Sequence, residues 1–172
     1  MYRKLLLVLA PILLLSGMVF AGTTESLVQR GKYLVTFGGC NDCHGKPDRY
    51  LGGSDVGFAI PGLGVFVAPN LTPDKQTGLG NWTRQQIVTA FTTGKLPNGR
   101  ILAPIMPWGT YSQLSEEDAQ AIAVYLQSLK PVKYQVPGPF GPTQKVTVFV
   151  HTALPAVVYN NSLPKSPPSP VN

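Results

Sequence analysis

Two cysteines and a histidine lie together in the segment Cys40-Asn41-Asp42-Cys43-His44. Thiols at this spacing can add to both vinyl groups of one haem from a single short turn, and the histidine that follows is then directed at the iron. The segment therefore predicts one covalently attached haem c, bound through Cys40 and Cys43. His44 is the predicted axial ligand of the iron.

Paired cysteines have other uses, and two of them compete with haem attachment. A Cys-x-x-Cys redox pair needs no following histidine and usually lies at the start of a helix within a βαβ unit. A zinc site needs a second pair of ligands, and this chain has only 2 cysteines. Both alternatives, and chance occurrence of a short pattern, stay open until the rest of the chain is considered.

The iron of an attached haem needs its other axial position either filled or left open. Beyond residue 21 the chain has one methionine, Met106, and one histidine besides His44, namely His151. Met106 lies between two prolines that stiffen its loop, and a thioether ligand raises the reduction potential. Met106 is therefore the predicted second ligand, with ordinary packing as the alternative. His151 is the rival ligand, a cover for the haem crevice, or a surface residue.

The composition suits a small domain that builds its core around a cofactor. The chain has 172 residues, 18 glycines and 17 prolines, and only 13% of its residues are charged. This length fits one domain with extensions, and the glycine and proline content predicts long loops. The formal net charge is +6, but the basic residues are scattered and not interleaved with aromatic ones. That distribution argues against nucleic-acid binding, and a mildly basic surface either steers a docking partner or only aids solvation.

Residues 1–21 have the pattern of an export signal. Arg3 and Lys4 precede an apolar stretch from Leu5 to Phe20, and Ala21 provides a small residue for cleavage. The stretch is short for a membrane-spanning helix, which needs about 20 residues. Cleavage after Ala21 is therefore predicted, and a retained membrane anchor is the alternative. Either outcome places the folded part outside the cytoplasmic membrane.

Helical periodicity predicts a helix directly before the cysteine motif. It is capped by Thr24 or Ser26 and runs to about Phe37, where two glycines end it. Its apolar face carries Gly31, although glycine in a helix interior costs up to about 1 kcal/mol relative to alanine. Close approach of another helix would explain this residue, and chance occurrence is the alternative. Tyr125, in the last predicted helix, is expected to meet Gly31 if the two helices cross.

Two later helices have distinct end signals. Thr83 and Gln86 match a capping box for a helix that ends at Gly94. Ser115 caps the last helix, and the acidic residues that follow it suit the positive end of the helix dipole. Pro131 is predicted to end this helix.

The remaining segments are rich in glycine and proline. Residues 45–74 are predicted to form a loop wrapped over a haem edge, in which Val65 to Val67 make a short extended piece. A second loop, 95–113, carries Met106. Residues 133–172 are predicted to be a Pro-rich, irregular C-terminal extension. Within it the valines at 146, 148 and 150 alternate as in a strand, and the last ten residues are predicted to be disordered.

Several short motifs follow Cys40 to His44 in the chain. They are Ala68-Pro69-Asn70-Leu71-Thr72-Pro73-Asp74, Thr77-Gly78-Leu79-Gly80-Asn81-Trp82, Pro97-Asn98-Gly99-Arg100, Ile105-Met106-Pro107-Trp108 and Leu114-Ser115-Glu116-Glu117-Asp118. With these motifs, residues 25–132 resemble class I cytochrome c domains. Such domains occur as monohaem proteins and as repeated units in the cytochrome subunits of bacterial membrane-associated dehydrogenases.

The resemblance implies an all-α, class I cytochrome c fold with a few helices and long loops around one covalently bound haem. It also implies that His44 and Met106 are the axial ligands. The haem contacts that it implies extend to side chains of the matched motifs. Those that would touch the propionates, or else form turns or pack, are Asn70, Trp82 and Arg100. Trp108 would pack on the porphyrin face or shield its edge.

The function implied is electron transfer, by a periplasmic carrier or by an electron-accepting subunit of a dehydrogenase. The partners would be redox proteins such as a dehydrogenase, a terminal oxidase or another cytochrome, and no catalytic residues are expected. The alternative is a haem enzyme or sensor with a labile sixth ligand, such as a peroxidase or a gas-binding protein. Because the chain has a single haem motif, it is not predicted to be a multihaem subunit.

Overall fold

The computed structural model describes residues 23–153 and 156–162. The predicted export signal and the predicted disordered tail at 163–172 lie outside these residues. In the described part, no helix is long and apolar enough to cross a membrane. The helices are α1 (Thr24–Phe37), α2 (Cys40–His44), α3 (Arg84–Thr93), α4 (Trp108–Tyr111), α5 (Glu116–Ser128) and α6 (Ala156–Ser162), and the strands are β1 (Val56–Ile60), β2 (Gly64–Val67) and β3 (Phe149–His151).

Helices α1 and α5 cross in close contact, as the sequence predicted. A Cβ atom added to Gly31 would lie 2.7 Å from the Cβ of Tyr125, so only glycine allows this approach. At the exposed margin of the contact, the Arg30 guanidinium donates to both carboxylate oxygens of Asp118, at 2.7 and 3.0 Å. Together with α3, these two helices enclose the core. The core residues are Val35, Leu51, Ile87, Val88, Phe91, Ala119, Ala123, Tyr125 and Leu126.

The helix ends follow their local sequence signals closely. Thr83 and Gln86 form the predicted capping box, and Gly94 ends α3 in the left-handed conformation with φ 75°. The Ser115 hydroxyl caps α5, which ends at Ser128, before the predicted Pro131, because Leu129 is already extended. For α1 the predicted caps were wrong by one residue or more, since Thr23 is the N-cap and accepts from the Ser26 amide.

The prediction of an all-α fold is not confirmed, because the described residues include a three-stranded sheet. Strands β1 and β2 form an antiparallel hairpin with Phe58 opposite Phe66, and β3 pairs in parallel with β1 on the other side. The predicted extended piece at residues 65–67 lies in β2, but β1 was predicted to be loop. Valine, phenylalanine and isoleucine favour this strand even though it contains Gly57.

The chain beyond α5 returns to the domain instead of leaving it. The Val132 amide donates to the Thr72 hydroxyl at 3.0 Å, and the Val132 carbonyl accepts from the Asn70 amide group at 2.7 Å. Further along, Phe140 and Val65 exchange two backbone hydrogen bonds, after which the chain forms β3. The predicted irregular extension therefore packs against the domain, and its strand lies at 149–151 and not at 146–150.

Candidate haem-binding site

The cysteine motif occupies one short helix that is set off from α1 by a glycine turn. Gly38 ends α1, and Gly39, with φ 62°, redirects the chain into α2. Cys40 is partly buried and packs against the core, whereas Cys43 is exposed. The thiols are not joined as a disulfide, so the turn presents both of them separately. This is the arrangement that thioether bonds to two vinyl groups need.

His44 is buried at the end of this helix and hydrogen-bonded through one ring nitrogen. Its Nδ1 donates to the carbonyl oxygen of Pro69 at 2.8 Å, and the residue is 8% exposed. Burial lowers the pKa of His44, and the hydrogen bond to Pro69 opposes this only in part. The imidazole is therefore neutral, with the proton on Nδ1 and a lone pair on Nε2. A neutral imidazole fixed in this way is a metal ligand with a defined tautomer.

The cysteines lack the electrostatics of a thiol redox pair. Burial raises the pKa of the Cys40 thiol, and it also raises the pKa of the Cys43 thiol, with the Asp42 carboxylate adding to the effect. Reactive pairs of the Cys-x-x-Cys type have a lowered pKa instead. The zinc alternative has no support either, because the described residues contain no cluster of three or more His, Cys, Asp and Glu side chains.

Met106 lies in a loop that is held by its own backbone. Its amide donates to the Ala103 carbonyl at 3.0 Å, and its carbonyl accepts from the Trp108 amide at 2.8 Å. The Met106 side chain is partly buried and packs against the same core cluster as Cys40. Just beyond it, the Tyr111 hydroxyl donates to the Gly38 carbonyl at 3.5 Å. The methionine loop and Cys40 thus pack on the same core, and the segment after the loop contacts the turn that precedes the cysteines.

Asn70 follows Pro69, and the polar atoms of its side chain are already hydrogen-bonded within the protein. Its Oδ1 accepts from the amide and the hydroxyl of Thr72, and its Nδ2 donates to Thr77 and to the Val132 carbonyl. The residue is 1% exposed. Both hydrogens of the Asn70 amide group have acceptors within the protein. The bonds therefore fit the predicted turn-forming role of Asn70 better than a contact with a propionate.

The other predicted haem contacts differ in their surroundings. Trp82 is half-buried and packs against the core cluster, whereas the Arg100 side chain is exposed in a turn closed by its own backbone. Trp108 is half-buried and lies against Gly94, but its indole Nε1 has no acceptor in the described part of the chain. His151 is exposed on β3, where its ring stacks on Phe58 with a centroid distance of 5.5 Å.

The residues around the motif fit a flat apolar group with an acidic edge. Ile101 and Ile105, on the loop that carries Met106, expose about half of their large apolar side chains. The buried indole Nε1 of Trp108 has no acceptor among the described residues, although buried donors usually have one. A porphyrin covers apolar surface, and its carboxylates accept hydrogen bonds. The side chains present therefore fit a haem.

The geometry accordingly defines a site in which two separate cysteines lie on a short helix with a buried histidine behind them, an arrangement that suits covalent attachment of haem. Comparison with known proteins gives the family. Residues 28–130, more than half of the chain, match the cytochrome c family, and the protein belongs to that family. Its cofactor is covalently bound haem c, and its chemistry is electron transfer by that haem.

The chain is similar to parts of several longer proteins. It is 35% identical over 122 residues to the fructose dehydrogenase cytochrome subunit of Gluconobacter japonicus, covering 66% of this chain and 24% of that subunit. It is 36% identical over 113 residues to the gluconate 2-dehydrogenase cytochrome c subunit of Pantoea cypripedii, covering 63% and 24%. A dihaem c-type cytochrome of Cereibacter sphaeroides is 29% identical over 120 residues, covering 66% and 39%. The chain thus spans about a quarter of the length of the dehydrogenase subunits that it matches.

Two residues at this site were not found by reasoning from the sequence. The carbonyl that fixes the His44 ring belongs to Pro69, and the Asn41 side chain accepts from the Leu51 amide at 2.8 Å. Pro69 lies in a motif that was recognised, but its contribution is a backbone atom. Asn41 lies within the haem motif at a position where the attachment chemistry specifies no residue type.

Proposed function

We propose that this protein is a periplasmic electron carrier whose haem is bound through Cys40 and Cys43, with His44 and Met106 as the axial ligands of the iron. The observation that carries the proposal is the hydrogen bond from His44 Nδ1 to the Pro69 carbonyl. It leaves Nε2 as the unprotonated nitrogen of a ring that cannot turn freely. A fixed donor atom suits an iron centre that keeps the same ligands in both oxidation states.

The bound haem supplies a one-electron couple between ferric and ferrous iron. The chain's own residues set the conditions for that couple. Burial lowers the pKa of His44 and so favours the neutral imidazole, whose Nε2 lone pair is available for the metal. Met106 offers a thioether, which raises the reduction potential. The core of α1, α3 and α5 excludes water from the side against which Cys40 and Met106 pack.

The proposed partner is a dehydrogenase that delivers electrons to this haem, and the proposed acceptor is another cytochrome or a terminal oxidase. Support comes from the relatives, which are named as cytochrome subunits of fructose, alcohol and gluconate dehydrogenases. Residues 25–132 are the proposed cytochrome c domain. Residues 1–21 are the proposed export signal, which would tether the protein to the outer face of the cytoplasmic membrane if it were retained.

A carbon monoxide test separates an electron carrier from a haem enzyme or gas-binding protein. Purified holoprotein is reduced and exposed to carbon monoxide at neutral pH without denaturant, and the absorption spectrum is followed. We expect no change, because a filled sixth position leaves no site for the gas. A potentiometric titration of the same sample should fit a single one-electron step. Rapid formation of a carbon monoxide complex would overturn the proposal in favour of a labile sixth ligand.

A further inference from the structure

We propose that Asn41, between the two cysteines, is a positioning residue that holds the His44 ring in place through the backbone of Leu51. This inference rests on the proposed function, because it takes His44 as the axial ligand. It assigns a role to a side chain of the haem motif that the attachment chemistry leaves free. The role is mechanical, since Asn41 acts through the backbone and not on the haem.

The Asn41 side chain is fixed between two parts of the chain. Its Oδ1 accepts a hydrogen bond from the Leu51 amide at 2.8 Å. The same oxygen lies over Gly45, so closely that a Cβ atom added to Gly45 would collide with it. Leu51 is 0% exposed, and water therefore cannot replace Asn41 as the acceptor for this amide.

The Leu51 backbone is strained. Its φ is 55°, and it is the only residue other than glycine with a positive φ in the described part of the chain. A bulky residue adopts this conformation rarely and keeps it only where the surroundings enforce it. Two hydrogen bonds do so here, since the Leu51 amide donates to Asn41 and its carbonyl accepts from the Leu71 amide at 2.8 Å.

These bonds form a closed ring with those of His44. The Leu71 amide is hydrogen-bonded to the Leu51 carbonyl, and Leu71 lies two residues beyond Pro69. The Pro69 carbonyl accepts the hydrogen bond from His44 Nδ1. The His44 carbonyl accepts from the Gly53 amide at 2.7 Å, two residues beyond Leu51. The segment around Leu51 therefore joins the helix that carries His44 to the segment that orients its ring. Without the Asn41 acceptor, a buried amide is unpaired and the strained residue relaxes, which loosens this ring of hydrogen bonds.

The test is proton exchange at His44 in three holoprotein variants. Asn41→Leu has a similar shape but no acceptor, whereas Asn41→Asp keeps the acceptor oxygen. Asp42→Ala changes the neighbouring exposed residue of the same motif and serves as the control. Exchange of the His44 Nδ1 proton is measured by NMR in the ferrous protein. The amide proton of Ala123, in the buried part of α5, is the internal reference.

We expect exchange at His44 to be about tenfold faster in Asn41→Leu, with the Ala123 amide unchanged and with wild-type rates in Asn41→Asp and Asp42→Ala. Equal acceleration at both sites would mean that Asn41 supports only global stability, and it would overturn the inference. So would an unchanged His44 rate in Asn41→Leu, or a rate in Asn41→Asp as fast as in Asn41→Leu. If Asn41→Leu does not accumulate as holoprotein, Asn41→Ser, whose hydroxyl is too short to reach, replaces it with the same expectation.

Whether His44 is the axial ligand is measured separately, in the wild-type protein. Ring protons of an axial histidine are strongly shifted by the porphyrin ring current. If the His44 ring protons of ferrous wild-type protein lack this shift, the proposed function fails. If the shift is present but the exchange rates do not respond to Asn41, only the positioning role fails.

Discussion

A Cβ atom at Gly31 of α1 would lie 2.7 Å from the Cβ of Tyr125 in α5 and would collide with the Ala121 carbonyl. The helices therefore touch through backbone at this point, and the contact leaves no room for a methyl group. This explains why a residue that weakens an isolated helix lies in the middle of α1, since close packing outweighs a propensity difference of about 1 kcal/mol.

Substitution of Gly31 by alanine should destabilise the protein, although alanine favours helices. We expect Gly31→Ala to lower the free energy of unfolding of the holoprotein by about 1–3 kcal/mol through overpacking. Urea unfolding monitored by circular dichroism would measure it. Gly109→Ala is the control, because a Cβ atom at that α4 glycine meets nothing within 4 Å. A Gly31→Ala protein as stable as the control would contradict the close contact.

Removal of the Met106 thioether should change the iron centre directly. In Met106→Ala we expect loss of the sulfur-to-iron charge-transfer band of the ferric protein and a lower reduction potential, because the ligand that stabilises ferrous iron is gone. Absorption spectroscopy and potentiometry measure the two effects. His151→Ala should leave both unchanged, since His151 is exposed on β3. An unchanged spectrum in Met106→Ala with a changed one in His151→Ala would give the ligand role to His151.

The ion pair between α1 and α5 should make stability depend on pH in the acid range. The hydrogen bond from Arg30 is the main cause that lowers the pKa of Asp118. A carboxyl group with a lowered pKa in the folded protein stabilises it above its unfolded pKa of about 4, and this contribution is lost as pH falls through the folded pKa.

We therefore expect Arg30→Gln to be less stable than wild type at pH 7 and to approach it in strongly acidic solution. Urea unfolding at a series of pH values would show the two curves converging as pH falls. Arg84→Gln, which alters another exposed arginine, should run parallel to wild type throughout. A constant difference between Arg30→Gln and wild type at every pH would mean that packing, and not charge, accounts for the effect.

The bonds of Asn70 allow its two predicted roles to be separated. In Asn70→Ala the buried partners around Thr72 and Val132 lose their hydrogen bonds, and the free energy of unfolding should fall by about 1–3 kcal/mol. The reduction potential should change little, because the Asn70 donors are occupied by Thr77 and Val132. Asn81→Ala, which removes one exposed hydrogen bond to the Lys75 carbonyl, is the stability control. A large shift of the potential would instead support a propionate contact.

Local signals in the sequence predicted α1, α3, α5 and the attachment turn, whereas α4 and α6 lie in segments that were predicted to be loop and irregular extension. The capping box at Thr83 and Gln86 and the Ser115 cap depend on residues within one turn of each other, so their patterns are visible in the chain. The haem motif is equally local. The meeting of Gly31 with Tyr125 was also confirmed, because a glycine on an apolar helix face needs a nearby backbone to explain it.

What the sequence did not reveal depends on distant partners or on backbone atoms. Strand β1 contains a glycine and lies in a segment rich in turn residues, and its pairing with β3 depends on residues that come after α5. The Pro69 carbonyl could not be chosen from the sequence, because every residue has a carbonyl group. The positive φ of Leu51 is likewise a consequence of the assembled fold and contradicts the usual preference of leucine.

The hydrogen bonds around the cysteine motif join residues that are close in sequence, whereas the sheet joins residues that are far apart. This difference has a consequence for the order of folding. The bonds of Asn41 and His44 close loops of 10 and 25 residues. The parallel pairing of β1 with β3 joins Val56 to Phe149, across most of the described chain. Short loops close early and distant strands pair late. The attachment turn can thus become organised before β1 and β3 pair.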